Sequence, residues 1–263
     1  MDAFAALGIP YRESFLLVFV RMAAMLTTAP LLGHRSLPVA HRTGLALMLA
    51  LVLAPVVGGM TPIASDLFSL ALALAAEGMV GGAIGFVAGL AIAAVQSAGE
   101  VIGLQMGLGL GGIYDAAMGH QATVVTRLFD VLALMLFLAL NGHHVMVAAV
   151  AASLDRLQPG AAMAALGRAS DLALLGGKVL RSALEVAAPL VGVLFVVNVV
   201  LAILTRVAPH LNIFAVGIPL AVAVGLFGIV ETLPHVLAVT GRLLGELGGD
   251  LRGLVTGAGH ALR

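Results

Sequence analysis

The sequence contains no cysteine and no tryptophan, and only 10% of its 263 residues are charged. Without cysteine there is neither a disulfide framework nor a thiolate metal site. Soluble domains carry about 25% charged residues. A chain with so few cannot cover its own apolar surface, so lipid or other apolar subunits must do it. The formal charge is zero, which leaves no basic footprint for nucleic acid. The first ten residues hold Asp2 and no base, and the first apolar stretch carries Arg21 in its middle. A secretory signal needs a basic start and an uncharged core, so the amino terminus reads as retained.

What is present is a composition that is 61% hydrophobic, with glycine at helical spacing. Gly99, Gly103, Gly107 and Gly111 fall at every fourth position, with Gly109 and Gly112 close behind. Each interior helical glycine costs roughly 1 kcal/mol relative to alanine. In an apolar setting the compensation is close approach of another helix over bare backbone. From Gly107 to Gly112 glycine is too dense for a stable helix. The stretch reads as a close-packed helix running out into a flexible loop. A second stripe, Gly81, Gly85 and Gly89 continued by Ala93 and Ser97, repeats the same spacing, and such rows form helix-packing ridges.

Apolar stretches cover approximately 15–33, 43–60, 67–106, 128–152, 183–205 and 212–233. About 20 apolar residues cross a bilayer once, so most of these have the length of a span. The stretch 67–106 is either one long helix or a hairpin bent near Gly81, Gly82 and Gly85. His34–Arg42 and Thr61–Asp66 read as tight turns. Ile113–Thr126 and the polar Ser153–Arg181 read as longer connections, and the tail after Gly241 as a short interfacial helix. With six crossings, the arginine-rich loops and the amino terminus fall on the cytoplasmic side. Pro30, Pro55, Pro189 and Pro219 interrupt apolar helices, each removing one backbone hydrogen bond.

Arg21, Glu77, Glu100, Asp130 and Glu185 lie within or at the edge of these stretches. A charge at mid-membrane costs about 2.5–3.5 kcal/mol on insertion scales, so such residues face protein or water. Two readings follow: an ion or proton pathway, or Arg21 paired with one of the glutamates to fix helix assembly. Five scattered charges do not make a relay, which favours pairing. Gly107, Gly109 and Gly112 match G-x-G-x-x-G with Asp130 about 20 residues on, but the preceding forty residues have helical period and no strand. His143 and His144 are adjacent and, on a helix, point about 100° apart. Gly176-Gly177-Lys178 lacks the rest of a phosphate loop, and no nucleophile has a base and an orienting group nearby. The residues argue for a non-enzyme without cofactor or metal.

Four runs carry a family resemblance. Arg21 followed by Ala29-Pro30-Leu31-Leu32-Gly33 and Pro38 resembles the first hairpin of the FliR family of flagellar export-gate proteins. Gly99-Glu100-Val101-Ile102-Gly103-Leu104-Gln105-Met106-Gly107 is similar to its central signature. Phe137-Leu138-Ala139-Leu140-Asn141-Gly142-His143-His144 and Ala208-Pro209-His210-Leu211-Asn212-Ile213-Phe214, with Gly217 and Pro219, follow in the family's order.

The resemblance implies an all-α fold of polytopic, membrane-associated helical hairpins and kinked helices, assembled into a helical channel complex. It implies one export-gate domain over 1–263, with approximately 1–180 similar to FliP and 181–263 similar to FliQ. The implied partners are the FliP and FliQ sister subunits, FlhB, FlhA, rod proteins, membrane lipid and the unfolded flagellar proteins in transit. The implied location is the bacterial inner membrane within the flagellar basal body. Gly107, Leu108, Gly109, Leu110, Gly111, Gly112, Ile113 and Tyr114 correspond to the plug that occludes the resting channel. Asp115-Ala116-Ala117 lacks the proline that many members carry there. Two other functions compete with this reading: an injectisome gate subunit of the same superfamily, and a small-molecule transporter built on broken helices. The transporter predicts internal repeats of matched length, and the sequence shows none.

Overall fold

A computed structural model describes residues 12–30, 33, 38–56, 67–108, 123–156, 169–208 and 213–260. Seven α-helices account for nearly all of them: α1 (Arg12–Thr28), α2 (Val39–Leu53), α3 (Leu67–Gln105), α4 (Val124–Ala139), α5 (Gly142–Arg156), α6 (Ala169–Val207) and α7 (Ile213–His260), with a 3₁₀ turn at Ala54–Val56. No strand occurs among the described residues. Three segments, Leu67–Gln105, Leu180–Val207 and Ala215–Glu246, are long and apolar enough to cross a membrane. A fourth crossing is available if α4 and the first part of α5 count as one broken span.

The residues between 67 and 105 form one continuous helix, so the hairpin alternative is excluded. Gly81, Gly82 and Gly85 do not break it; Gly81 and Gly85 open one side of it to α1. The apolar stretch 128–152 is divided at Leu140–Asn141. Asn141 adopts φ 56°, a left-handed conformation that Asn tolerates better than most residues. Its carbonyl accepts from His144 and Val145 at the start of α5. Prolines act differently by position. Pro30 follows the end of α1 and Pro55 lies in the 3₁₀ turn after α2. Pro189, Pro219 and Pro234 sit inside helices that continue past them.

One expected connection is shorter than it reads. Ser153 belongs to α5, and α6 already begins at Ala169. The tail after Gly241 continues α7 to His260 and is not a separate helix. Of the tight turns, 34–37 and 61–66 lie outside the described residues.

The chain divides into two compact units, 1–90 with 141–175 and 244–263, and 91–140 with 176–243. In the first, α1 buries Leu17, Val18, Arg21, Met22 and Met25, a stripe at helical spacing. Helix α2 turns only Ala46 and Ala50 inward and leaves Leu47, Met48 and Val52 exposed. In the second unit, the hydroxyl of Thr123 caps α4 by accepting from the Thr126 amide at 3.1 Å, a contact worth about 1 kcal/mol. That helix buries Val125, Phe129, Ala133, Leu136 and Phe137, and Ile102 and Met106 are buried in the same unit.

Candidate functional site

In the first unit the central feature is a buried charge pair. Arg21 on α1 and Glu77 on α3 are both 0% exposed, with Nε donating to Oε2 at 2.5 Å. Arg21 Nη1 donates to the Ser153 hydroxyl on α5 at 2.9 Å. That hydroxyl donates in turn to the Val150 carbonyl at 2.7 Å. Three helices from distant parts of the sequence thus meet at one guanidinium. Burying two charges repays its desolvation cost only when geometry is good and the remaining donors are satisfied. Ser153 supplies part of that satisfaction, and its position in the predicted connection hid it from the sequence.

The pair sits where α1 and α3 approach most closely. A Cβ on Gly81 would collide with the Arg21 carbonyl, and one on Gly85 with the Thr28 hydroxyl and the Met25 carbonyl. Contacts move up both helices together, from Arg21 near Gly81 to Thr28 near Gly85 and Gly89, so the two helices run parallel. Thr28 Oγ1 also donates to the Gly82 carbonyl at 3.0 Å. At Gly89 the nearest atom is the Thr28 carbonyl at 3.9 Å, ordinary contact.

In the second unit α3 ends in a glycine cap. The Gly107 amide donates to the Leu104 carbonyl at 3.0 Å and the Leu108 amide to the Gly103 carbonyl at 3.2 Å. These are the paired bonds of a Schellman motif, and they require the φ of +78° that Gly107 adopts. Asn198 on α6 donates to the Gln105 carbonyl at 3.3 Å, occupying another carbonyl at the helix end. Gly99 packs on the Phe129 ring, and a Cβ on Gly103 would lie 2.5 Å from Thr123 Oγ1. Met106 fills the space over Gly225, where a Cβ would lie 2.6 Å from its Sδ. Of the residues expected to form a plug, Gly107 and Leu108 begin the exit from α3. Residues 109–114 lie outside the described residues.

Helices α6 and α7 are tied at a proline. Pro189 has no amide hydrogen, so the Glu185 carbonyl loses its helical partner. His235 Nε2 on α7 meets that carbonyl at 3.1 Å, in the tautomer that donates. Arg242 Nη2 donates to the Glu185 carboxylate at 2.5 Å, with both side chains substantially exposed.

The five charges singled out in the sequence therefore occupy different environments. Arg21 and Glu77 are buried together, Glu185 pairs with Arg242 at the surface, Asp130 is half-buried and Glu100 is exposed on the chain by itself. Glu231 was not among them. It lies inside the stretch 212–233, and it is exposed. The rings of His143 and His144 approach to 4.2 Å at the start of α5. No group of three or more His, Asp or Glu is placed to hold a metal ion among the described residues.

Long apolar helices, bare glycine faces and a neutralised buried charge pair define a polytopic, all-helical membrane protein. The chain belongs to the bacterial export proteins, family 1, whose profile matches residues 13–247. It is 34% identical over 234 residues to the flagellar biosynthetic protein FliR of Escherichia coli strain K12, covering 87% of each chain. It is 31% identical over 229 residues to the protein of that name from Bacillus subtilis strain 168, covering 86% of this chain and 88% of the relative. The Pectobacterium carotovorum protein is 34% identical over 244 residues, 89% of this chain and 90% of its own.

Proposed function

We propose that this chain is a channel-forming, non-enzymatic subunit of the flagellar type III export gate in the bacterial inner membrane, needed for export of rod, hook and filament proteins. It assembles with FliP- and FliQ-type sisters, lies beneath the rod and associates with FlhA and FlhB. Approximately 1–180 plays the FliP-like part and 181–263 the FliQ-like part. The flagellar names of its relatives favour this over an injectisome gate.

One observation carries the assembly reading. Leu67 and Phe68 at the start of α3 and Leu104 near its end are all strongly exposed. At 1.5 Å per residue they lie roughly 54 Å apart along the helix. A bilayer's hydrocarbon core is about 30 Å thick, and a tilt of about 40° shortens the separation only to roughly 41 Å. Lipid tails therefore cannot cover both ends, and neighbouring protein must cover at least one. Long helices that outrun the bilayer with apolar faces suit a subunit packed into a larger complex.

The test is native mass spectrometry of the tagged chain, co-expressed with its FliP and FliQ sisters and gently solubilised. The expected result is one copy in a hetero-complex. A monomer or homodimer, with the sisters expressed but absent, would overturn the reading.

A further inference from the structure

Helix α7 carries an exposed apolar face at helical spacing: Leu226, Phe227, Val230 and Leu237 are 41–69% exposed. Glu231 lies on the same face, exposed, between Phe227 and Pro234. Every window of about 20 residues within the apolar segment Ala215–Glu246 contains Glu231, at least three residues from the window's end. Glu231 makes no hydrogen bond or ion pair among the described residues. A carboxylate thus stands on an otherwise apolar face, one turn before Pro234, which removes the usual amide donor of the Val230 carbonyl.

Three surroundings are conceivable for such a face. Acyl chains offer no donor, so the carboxylate would stay unsatisfied at a cost of several kcal/mol. Water would satisfy it but would wet Phe227, Val230 and Leu237. A helix bearing one cation among apolar residues satisfies both requirements. Arginine and lysine have donors and no acceptor, which matches an acceptor-only site.

We propose that the face of α7 centred on Glu231 docks a helix of another subunit that presents an arginine or lysine to this carboxylate. The inference rests on the multi-subunit reading above and adds the chemistry of one of its contacts. Glu231 is exposed on this chain, so substitutions there act first on the surface.

The chain has no cysteine, so a single Val230→Cys variant, one residue from Glu231 and exposed on the same face, reports the environment of that face with the carboxylate kept. Membranes with and without the sister subunits are treated with a water-soluble maleimide. A photo-crosslinking phenylalanine analogue placed at Phe227 is run in parallel. The expected result is protection and a crosslinked protein band only when the sisters are present. Separately, Glu231→Lys and Glu231→Leu are expected to lower hetero-complex yield at least ~10-fold at unchanged chain level, since each leaves the partner's cation unpaired or repelled. Equal labelling with and without the sisters means a water-lined face and overturns the proposal. Protection in both without a crosslink means a lipid face and overturns it too, as does unchanged yield for Glu231→Leu. Failure of the wild-type chain to join any hetero-complex removes the assembly reading itself, and the proposal with it.

Discussion

Arg21 shows what a single residue decides in an apolar protein. Its guanidinium is fully buried, with Glu77 and Ser153 among its partners. Removing one member of such a pair leaves an uncompensated charge and typically costs 3–5 kcal/mol, or about that order. Replacing both by apolar residues of similar volume is often neutral. Glu77→Gln is therefore expected to lower the detergent melting temperature sharply, and Arg21→Met combined with Glu77→Leu to recover most of the loss. A double variant no better than the single one would show that the pair does more than neutralise itself. Ser153→Ala removes one hydrogen bond to a charged group, and its expected cost is about 1.5–3 kcal/mol. The presence of a buried arginine was legible in the sequence, since Arg21 interrupts an apolar stretch. Its partners were not, because Glu77 is 56 residues away and Ser153 is 132.

At the scale of elements, proline inside α6 is accommodated by its neighbour. Pro189 frees the Glu185 carbonyl, and His235 takes it. This predicts a non-additive pair. His235→Ala alone leaves a carbonyl unsatisfied and is expected to cost about 1–3 kcal/mol. With Pro189→Ala already in place, the carbonyl regains an amide donor from its own helix, and His235→Ala is expected to cost much less. Thermal denaturation of the four chains measures the coupling, and additive effects would reject the account. Glycine spacing marked where α3 has bare faces, but not what lies on each. Gly81 and Gly85 meet the α1 backbone, while Gly99 and Gly103 meet Phe129 and Thr123 of α4. Spacing fixes a face along one helix and carries nothing about the helix opposite.

For the whole molecule, the transition at the end of α3 carries the gating prediction. A long packed helix stops at the cap of Gly107 and Leu108 and releases the chain into a glycine-rich segment. An L-residue at a left-handed position costs roughly 1–2 kcal/mol. Replacing Gly107, Gly109 and Gly111 with alanine is expected to strain the exit at Gly107 and to reduce swimming in a motility assay. Deleting Leu108–Ile113 is expected instead to make the inner membrane leak ions, read as a loss of membrane potential. Unchanged motility and unchanged leakage in both strains would remove the plug role from these residues.

By itself the sequence determined that this is an all-helical membrane protein with several apolar segments and glycine-lined packing faces. Composition, run length and glycine period are local properties, and local properties are written in the chain order. Four short runs in the right succession also carried the family. Only the tertiary structure decided that 67–105 is one helix, that Glu77 and Ser153 close around Arg21, and that His235 answers Pro189. It also separated Glu231, exposed on an apolar face, from Glu77, buried in an ion pair, although both are glutamates in apolar runs. The physical reason is that satisfaction of a buried charge or a freed carbonyl depends on which groups the fold brings within about 3 Å. That distance has no counterpart along the sequence.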